Sequence, residues 1–562
     1  MKVLVVIIVG VILFVIKACY DSWSLKKDIR RRIEKQWGSY SQEGMNESKR
    51  KTLMSFYESR KDENADIDEI TWNDLDMETL YQRINTCFSA LGEEYLYYVL
   101  HKPIISDQQL EERKRVMDCI AEDKDKRICL AKHLNHIGTL KNISFYEYIK
   151  NIGQAVIENN RIHILANLFL IVSVILICLN SYAGVAALFV TAGFNIITYY
   201  HCKAKLEKYY SVVSYVLRLL YCIRQIGKET LEGLSEYTEA CSQMAKRFAK
   251  IERGSSFVFA GSDKNGSLSD ILMDYIHMIF HFDLIKMNHM ISQLKEQEED
   301  FSAMMDTVGF LDAMYCLASY REYLGKDRYC EPTFCKERIL KVQGLYHPLL
   351  ENPVTSDLCT DVNILITGSN ASGKSTFLKA VAMNAIFSQT CCISFTKEYK
   401  AARYRIFSSM SLADNLLKNE SYFIVEIKAL KRMIDRMGQP VPMLCFVDEV
   451  LRGTNTMERI AAAAEILYDI SSKNALCFAA THDIELTYIL ESVYANYHFQ
   501  ERIEKNEIHF DYCLKQGRAM SRNAIELLRI LGYSEQIVSS AKKRIQQYEK
   551  EAQWKSIDEE VD

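Results

Sequence analysis

The chain of 562 residues has only 6 prolines, although 49% of its residues are hydrophobic. Because proline interrupts helices and is common in irregular loops, its scarcity indicates long helices and few loops. The 17 cysteines are scattered and include no C-x-x-C pair, which argues against a zinc site or a disulfide framework and favours reduced thiols. The formal net charge is −4, so the chain has no overall basic character. Any contact with nucleic acid must therefore come from a local patch.

The most informative stretch is a glycine-rich loop about two-thirds of the way along the chain. It follows an apolar run, 362–366, that is typical of a buried strand, and it precedes a predicted helix over 377–387. The loop fits the pattern G-x-x-x-x-G-K-[ST], in which backbone N–H groups and a helix N-terminus stabilise phosphate oxygens. The predicted nucleotide-binding residues are Gly368, Ser369, Asn370, Ala371, Ser372, Gly373, Lys374, Ser375 and Thr376.

Two later apolar runs are expected to bring further functional side chains to this loop. The predicted strand 443–447 leads into Asp448 and Glu449, and the predicted strand 475–480 leads towards His482. Strand ends on the same edge of a parallel sheet lie close together. The sequence therefore predicts an α/β P-loop NTPase domain with two carboxylates and a histidine at the phosphates.

Each of these side chains suits one part of ATP hydrolysis. Ser375 and Asp448 would ligate Mg²⁺, and Lys374 would reach the outer phosphates. Glu449 would orient or deprotonate the attacking water, and His482 would sense a terminal phosphate. We therefore predict an ATP hydrolase with ATP and Mg²⁺ as cofactors and with Glu449, Lys374 and His482 as catalytic residues.

The same motifs extend into longer patterns. Residues 366–376 match I-T-G-P-N-x-x-G-K-S-T with Ser369 in place of proline, and residues 448–456 match D-E-[IL]-G-R-G-T-S-T with departures at Val450, Leu451 and Asn455. These patterns resemble the MutS family of DNA mismatch-repair ATPases. Their order and spacing match the whole ATPase domain of that family.

The resemblance implies a homodimer with composite ATP sites. In the family, the serine that matches Ser421 contacts the γ-phosphate bound by the opposite subunit, and the loop that matches 452–456 lies at the same interface. For Ser421, an ordinary place at a helix start is the alternative. The aromatic that stacks on adenine in the family should follow the pair 347–348, but this chain offers Pro353 and Val354 there.

An apolar run at the start of the chain, 3–16, predicts an N-terminal membrane anchor. The basic residues that follow it, over 17–35, are on the wrong side for a signal peptide. The alternative is a buried helix.

A second apolar block, 164–200, predicts a helical hairpin that crosses a bilayer twice. It contains a turn at 180–182, and no Lys, Arg, Asp or Glu lies between Arg161 and Lys203. A buried helix pair is the alternative. The basic flanks then give three spans in a multi-pass protein of a bacterial-type inner membrane, with the ATPase domain in the cytoplasm.

The expected organisation is an all-α core and lever domain carrying transmembrane helices, followed by the P-loop NTPase domain. The chain offers no room for the family's mismatch-recognition and connector domains, and we hypothesise that the hairpin takes the place of the family's DNA clamp. The predicted segments are an anchor (1–20), a basic then polar linker (21–70), a first helical core (71–163), the hairpin (164–200), a second helical part (201–340), the ATPase domain (341–548) and an acidic tail (549–562).

Three functions remain open from the sequence. The first is a membrane-anchored, MutS-like ATPase coupled to DNA binding or DNA repair. The second is an ABC-type transport ATPase, although three spans are few for a translocation path and no L-S-G-G-Q stretch precedes Asp448. The third is a nucleotide-regulated membrane scaffold, against which the intact residues Lys374, Asp448 and Glu449 argue.

DNA binding rests on the family resemblance alone. The candidate contacts are the basic residues Lys246, Arg247, Lys250 and Arg253 beside a glycine-rich loop. A solvated helix face is the alternative for these residues.

Overall fold

The structure is a computed structural model that describes residues 17, 20–21, 23–42, 44–103, 106–140, 144–152, 159–179, 181–252, 268–369, 372–410, 422–451, 454–504, 507–519, 524–551, 553–554 and 556–557. It divides into two compact units. One unit comprises Met1–Lys61, Tyr81–His101 and Ser106–Gly325, and the other comprises Asp62–Leu80, Lys102–Ile105 and Lys326–Asp562.

Helices make up the described chain ahead of the first strand, in agreement with the predicted fold class. A helical stretch covers 23–36. The helices after it are α1 (Glu47–Glu58), α2 (Glu69–Asp74), α3 (Met77–Ile84), α4 (Ala90–His101), α5 (Asp107–Glu122), α6 (Lys124–Ile137), α7 (Phe145–Ile152), α8 (Arg161–Leu179), α9 (Ser181–Ile226), α10 (Ser235–Glu252), α11 (Leu268–Phe280), α12 (Phe282–Glu296) and α13 (Glu298–Leu324).

The first part of the chain differs from the linker expected over 21–70. Much of that range is helical, and α1 buries Leu53, Phe56 and Tyr57. These three side chains share one face of the helix because Phe56 and Tyr57 lie three and four residues after Leu53. The polar composition of the segment reflects the other faces of α1, so composition alone conceals the helix.

A buried carboxylate joins two helices of the first unit. Asp312 on α13 accepts hydrogen bonds from Phe88 N, Ser89 N and Ser89 Oγ at 3.1, 2.8 and 2.6 Å. Ser89 Oγ in turn accepts from Gly92 N at 3.0 Å, so it caps the first turn of α4. A Cβ at Gly92 would lie 2.2 Å from Asp312 Oδ2, which explains the glycine. Burial raises the pKa of Asp312 to about 6 in spite of these hydrogen bonds.

The helices α8 and α9 pack against each other as an apolar hairpin. Both are long and apolar enough to cross a membrane, judged by length and composition, over Arg161–Leu179 and Tyr182–Leu206. The long helix α9 continues without a break into the core of the first unit, where Val216 and Ile223 are fully buried. The boundary predicted at 200–201 therefore falls inside one helix. The predicted N-terminal anchor over 1–20 lies almost wholly outside the described residues.

The second unit is α/β. Its strands are β1 (Thr333–Phe334), β2 (Leu340–Leu345), β3 (Ser356–Thr360), β4 (Asn363–Thr367), β5 (Glu398–Ala401), β6 (Arg405–Ser409), β7 (Met443–Asp448), β8 (Ala475–Thr481), β9 (Tyr494–His498), β10 (Glu501–Glu504), β11 (Glu507–Phe510) and β12 (Lys515–Gln516). Its later helices are α14 (Lys374–Cys391), α15 (Tyr422–Asp435), α16 (Thr456–Ser471), α17 (Leu486–Ile489), α18 (Ala524–Ile530) and α19 (Glu535–Glu551).

A six-stranded sheet of order β12-β9-β4-β8-β7-β6 forms the centre of this unit, beside a four-stranded sheet of order β1-β5-β2-β3 and the β10-β11 hairpin. The strands from β9 to β6 are all parallel. Every residue of β4, β7 and β8 is buried, as expected for strands covered on both faces. The structure thus has the three predicted strands, each shifted or extended by one residue.

Residues 62–80 cover the end strand β6 of this sheet. Ser408 N donates to Thr71 Oγ1 at 3.1 Å, and Asp74 Oδ2 accepts from Ser408 Oγ at 2.7 Å and Met410 N at 2.9 Å. Covering an edge strand satisfies groups that would otherwise be open to pairing with another chain. The predicted boundary between linker and helical core therefore differs from the structure, because this segment belongs to the α/β unit.

Replacing the buried Asp74 by alanine should destabilise the α/β unit. The change Asp74→Ala leaves Ser408 Oγ and Met410 N without their acceptor, which costs about 1–3 kcal/mol for a buried group. Chemical unfolding followed by circular dichroism measures this loss. The exposed Glu63→Ala in the same segment is the control, and equal stability of the two variants would contradict the role given to Asp74.

Candidate nucleotide-binding site

The glycine-rich loop leaves β4 and enters α14 through two glycines with positive φ. Gly368 has φ 151° and Gly373 has φ 108°, which favours glycine at both positions. Space is limited as well, since a Cβ at Gly368 would lie 2.8 Å from Phe499 O, and a Cβ at Gly373 would lie 3.2 Å from Tyr512 Cδ1. A side chain at either glycine would therefore strain the backbone and crowd its neighbours.

Lys374 lies at the start of α14 and is 5% exposed. Its Nζ donates to Gly368 O at 2.8 Å and to Ser369 O at 2.9 Å, and it lies 3.4 Å from His482 Nε2. The ammonium group is thus held over the glycine-rich loop. Phosphate oxygens bound by this loop would lie within its reach.

Ser375 and Asp448 offer oxygen ligands of the kind that Mg²⁺ prefers. Ser375 Oγ donates to Asp448 Oδ2 across the gap between α14 and β7. The other carboxylate oxygen, Asp448 Oδ1, is buried and has no hydrogen-bond partner among the described residues. Ser372 Oγ in the loop is likewise buried without a described partner. The donor set therefore fits a Mg²⁺ ion bound with a nucleotide phosphate.

Glu449 and His482 form a pair beside the loop. Glu449 Oε1 lies 2.6 Å from His482 Nε2, and both side chains retain some exposure, at 16% and 35%. They meet because Asp448 at the end of β7 is paired with Ala480 near the end of β8. A carboxylate held in this way can accept a proton from a water molecule, and the imidazole fixes its direction.

A cavity of about 510 Å³ opens next to the loop and can accommodate a nucleotide. Apart from the loop, it is lined by His347, Leu350, Val354, Phe499 and Tyr512, among others. Burial lowers the pKa of His347 to about 4, so this imidazole is neutral at pH 7. The rings of Phe499 and Tyr512, which line this cavity, offer apolar surface for a base. Sequence reasoning missed both rings, since they lie far beyond the position where the aromatic was expected.

Comparison with known proteins identifies the domain that carries this site. Residues 364–549 match the family described as MutS domain V. In this region the chain therefore belongs to the MutS family. It is 27% identical over 278 residues to proteins named DNA mismatch repair protein MutS from Staphylococcus aureus, in strains bovine RF122 / ET3-1, JH9 and Newman. The match covers 47% of this chain and 32% of each relative, so the chain spans about a third of the length of these MutS proteins.

The residue that replaces a glycine of the MutS pattern has an unusual backbone conformation. Leu451 stands where the pattern has glycine, and it adopts φ 61°, while Glu449 has φ 58°. Positive φ is unusual for such side chains and costs of order 1–3 kcal/mol. Leu451 N donates to a carboxylate oxygen of Glu426 on α15, and Glu449 N donates to Ala480 O at 2.9 Å. These bonds, together with burial of the Leu451 side chain, hold the strained turn.

A second departure from the MutS pattern, at Asn455, preserves the local structure. Asn455 replaces the serine of the MutS pattern and accepts a hydrogen bond from Met457 N at 3.0 Å. It is the N-cap of α16, a position at which serine and asparagine serve equally well.

An ion pair that sequence reasoning missed supports His482. Arg459 on α16 donates from Nε and Nη2 to the two carboxylate oxygens of Asp483, at 2.9 and 2.6 Å. Asp483 is the neighbour of His482, and such a two-pronged pair fixes geometry as well as charge. We refer to Arg459 and Asp483 as the clamp.

Part of the predicted site cannot be placed. Asn370, Ala371 and Ser421 lie outside the described residues, as do residues 452–453 of the interface loop. Thr376 lines the cavity. The structure brings the other predicted residues together at the edge of the parallel sheet, and their catalytic roles stay predictions.

Opening the clamp should slow catalysis without weakening ATP binding. Arg459→Ala frees Asp483 and lets His482 shift, and a displacement of about 1 Å lowers kcat by roughly 10- to 100-fold. Steady-state ATPase assays separate kcat from KM. Arg459→Lys should recover part of the rate, and the exposed Glu458→Ala on the same helix is the control. A raised KM with unchanged kcat would contradict a positioning role.

Proposed function

We propose that this chain is a membrane-anchored, MutS-like ATPase that binds and hydrolyses ATP in composite sites of a homodimer. Proteins of the MutS family are ATPases. The relatives that match this chain carry the name DNA mismatch repair protein MutS. The observation that carries the proposal is the meeting of Ser375, Asp448, Glu449 and His482 at the edge of the sheet, with a buried oxygen of Asp448 that has no described partner.

Each residue has a definite part in the proposed reaction. The loop amides and Lys374 would bind the phosphates, and Ser375 with Asp448 would hold Mg²⁺, which would supply positive charge at the phosphates. Glu449 orients the attacking water and takes its proton, while His482 and the clamp keep the carboxylate in place.

A homodimer would complete the site. Ser421 and the loop 452–456 would face the nucleotide of the opposite subunit, as the family resemblance implies. The side chain of Met457, directly after that loop, is 78% exposed. A single exposed apolar side chain is common on protein surfaces, so the support for the interface comes from the family resemblance.

DNA is the proposed partner of this ATPase. Lys246 and Lys250 are exposed on α10, and Arg247 between them pairs with Asp300. Arg253 lies outside the described residues. Because few basic residues gather here, the support for DNA comes mainly from the names of the relatives.

Attachment to a lipid bilayer is supported by the surface of the hairpin α8–α9. Ile164, Phe169, Phe189, Val190 and Ile197 are each more than half exposed. A helix that is apolar on all sides is normally buried in protein or in a membrane, and these side chains are not buried in the described protein.

The packing within the hairpin is of the kind found between membrane helices. A Cβ at Gly184 would lie 2.2 Å from Ile177 N, and Ser173 Oγ lies 3.2 Å from Thr191 Oγ1. Small residues and hydroxyl groups permit such close contact in lipid. We propose that the hairpin spans the bilayer with the ATPase domain in the cytoplasm, and that it takes the place of the family's DNA clamp.

Two substitutions should separate ATP binding from hydrolysis. Lys374→Ala is expected to abolish binding, because the phosphates lose their cation. Glu449→Gln should retain bound ATP while kcat falls roughly 10²- to 10⁴-fold, the usual contribution of a general base. Binding of a fluorescent ATP analogue and phosphate release measure the two effects. The exposed substitutions Lys473→Ala and Glu465→Gln are the matched controls, and wild-type turnover by either site variant would refute the proposed chemistry.

The same assay with added DNA tests the coupled event. Duplex or branched DNA should raise the ATPase rate of the full chain, and the effect should weaken as salt increases. Stimulation by neither form would favour the transport or scaffold functions.

A charge in the hairpin should reveal whether it enters lipid. Val190→Arg places a charged group where the bilayer centre is proposed, at a cost of about 2.5–3.5 kcal/mol in a membrane. At an exposed site in water, the same change would fall within about 0.5 kcal/mol. The fraction of protein that resists alkaline extraction from membranes is the measurement. Val362→Arg, at an exposed apolar site outside the hairpin, is the control, and equal extraction of both variants would rule out insertion.

A further inference from the structure

Three side chains of different chemistry converge in the helical unit, away from the nucleotide site. Cys129 and His133 lie on α6, and Glu229 follows the end of α9. Their ligand atoms, a thiol sulfur, an imidazole nitrogen and a carboxylate oxygen, all lie within 4.8 Å of one another. We infer that Cys129, His133 and Glu229 form a binding site for Zn²⁺.

The local structure explains why the three groups meet. Cys129 and His133 are four residues apart, so they lie on the same face of α6, one turn from each other. The chain turns back directly after α9, where Glu229 N donates to Ile226 O at 3.1 Å. Packing of α6 against α9 then presents Glu229 to the face that carries the other two ligands.

The distances between the three ligand atoms are compatible with a bound metal ion. Cys129 Sγ lies 3.7 Å from His133 Nε2, and Glu229 Oε1 lies 3.2 Å from the same nitrogen. In a tetrahedral zinc site, usual bond lengths place neighbouring ligand atoms about 3.4–3.6 Å apart. One ion can therefore lie close to all three atoms with little movement of the side chains.

The ligand types select zinc among the common divalent ions. Thiolate and imidazole suit Zn²⁺, whereas Mg²⁺ and Ca²⁺ prefer oxygen ligands throughout. Cys129 binds as the thiolate and releases its proton to water. The thiolate and the carboxylate together balance the two charges of the ion, and a water molecule fills the fourth position. The ion would fix the turn after α9 to α6.

The site is tested on the full chain purified in detergent and stripped of metal with a chelator. Titration with Zn²⁺ against a chromophoric indicator should show one equivalent bound per chain. Co²⁺ in place of Zn²⁺ should give a thiolate-to-metal charge-transfer absorption. That absorption separates this site from the Ser375–Asp448 pair, which supplies only oxygen ligands.

Three variants and two controls decide the assignment. Cys129→Ser, His133→Ala and Glu229→Gln should each weaken Zn²⁺ binding by more than roughly 10-fold, since even outer groups of a metal site contribute that much. Cys119→Ser and His136→Ala change the same residue types nearby and should bind as the wild type does. Circular dichroism confirms that each variant is folded. No saturable Zn²⁺ binding, or binding that survives Cys129→Ser and His133→Ala, would reduce the cluster to an ordinary His133–Glu229 ion pair.

Discussion

The parallel pairing of β4, β8 and β7 determines where the functional groups of the nucleotide site lie. Thr367 pairs with Thr481 and Asp448 pairs with Ala480, so the three strands end at the same level. The glycine-rich loop, Glu449 and His482 follow these ends, and Asp448 is the last residue of β7. A shift of one residue in either pairing would turn alternate side chains to the other face of the sheet. The chemistry proposed for the site therefore depends on the backbone hydrogen bonds that set the register of these strands.

Local pattern was enough to predict the three strands and the loop, because each strand is a continuous apolar run buried on both faces. Distant contacts were not predictable in this way. The clamp joins Arg459 to Asp483 across 24 residues, and the rings of Phe499 and Tyr512 enter the cavity from a later part of the chain. Glu229 reaches His133 across 96 residues, so the spacing of the cysteines gave no sign of a metal site. The sequence pattern predicted these strands but not the side-chain contacts between distant parts of the chain.

The helix α9 belongs to two environments along its length. Its first half exposes Phe189 and Ile197, whereas its second half buries Val216 and Ile223 in the helical unit. The boundary was predicted at residue 200 because the uncharged run ends just before Lys203, although the helix itself continues. A continuous helix transmits rotation and displacement better than two helices joined by a loop. In the proposed membrane setting, the hairpin and the helical core would consequently move together.

The segment that covers β6 has a consequence for how the protein is made. Asp74 and its partner Ser408 are 334 residues apart, although both belong to the α/β unit. During synthesis, α2 leaves the ribosome long before β6 does. It therefore lacks its partner strand while the intervening residues are synthesised. A fragment that began at Lys326 would contain the complete phosphate loop, yet its sheet would end in an uncovered strand prone to aggregation. Expression of the ATPase region by itself would therefore need the early segment supplied in the same polypeptide.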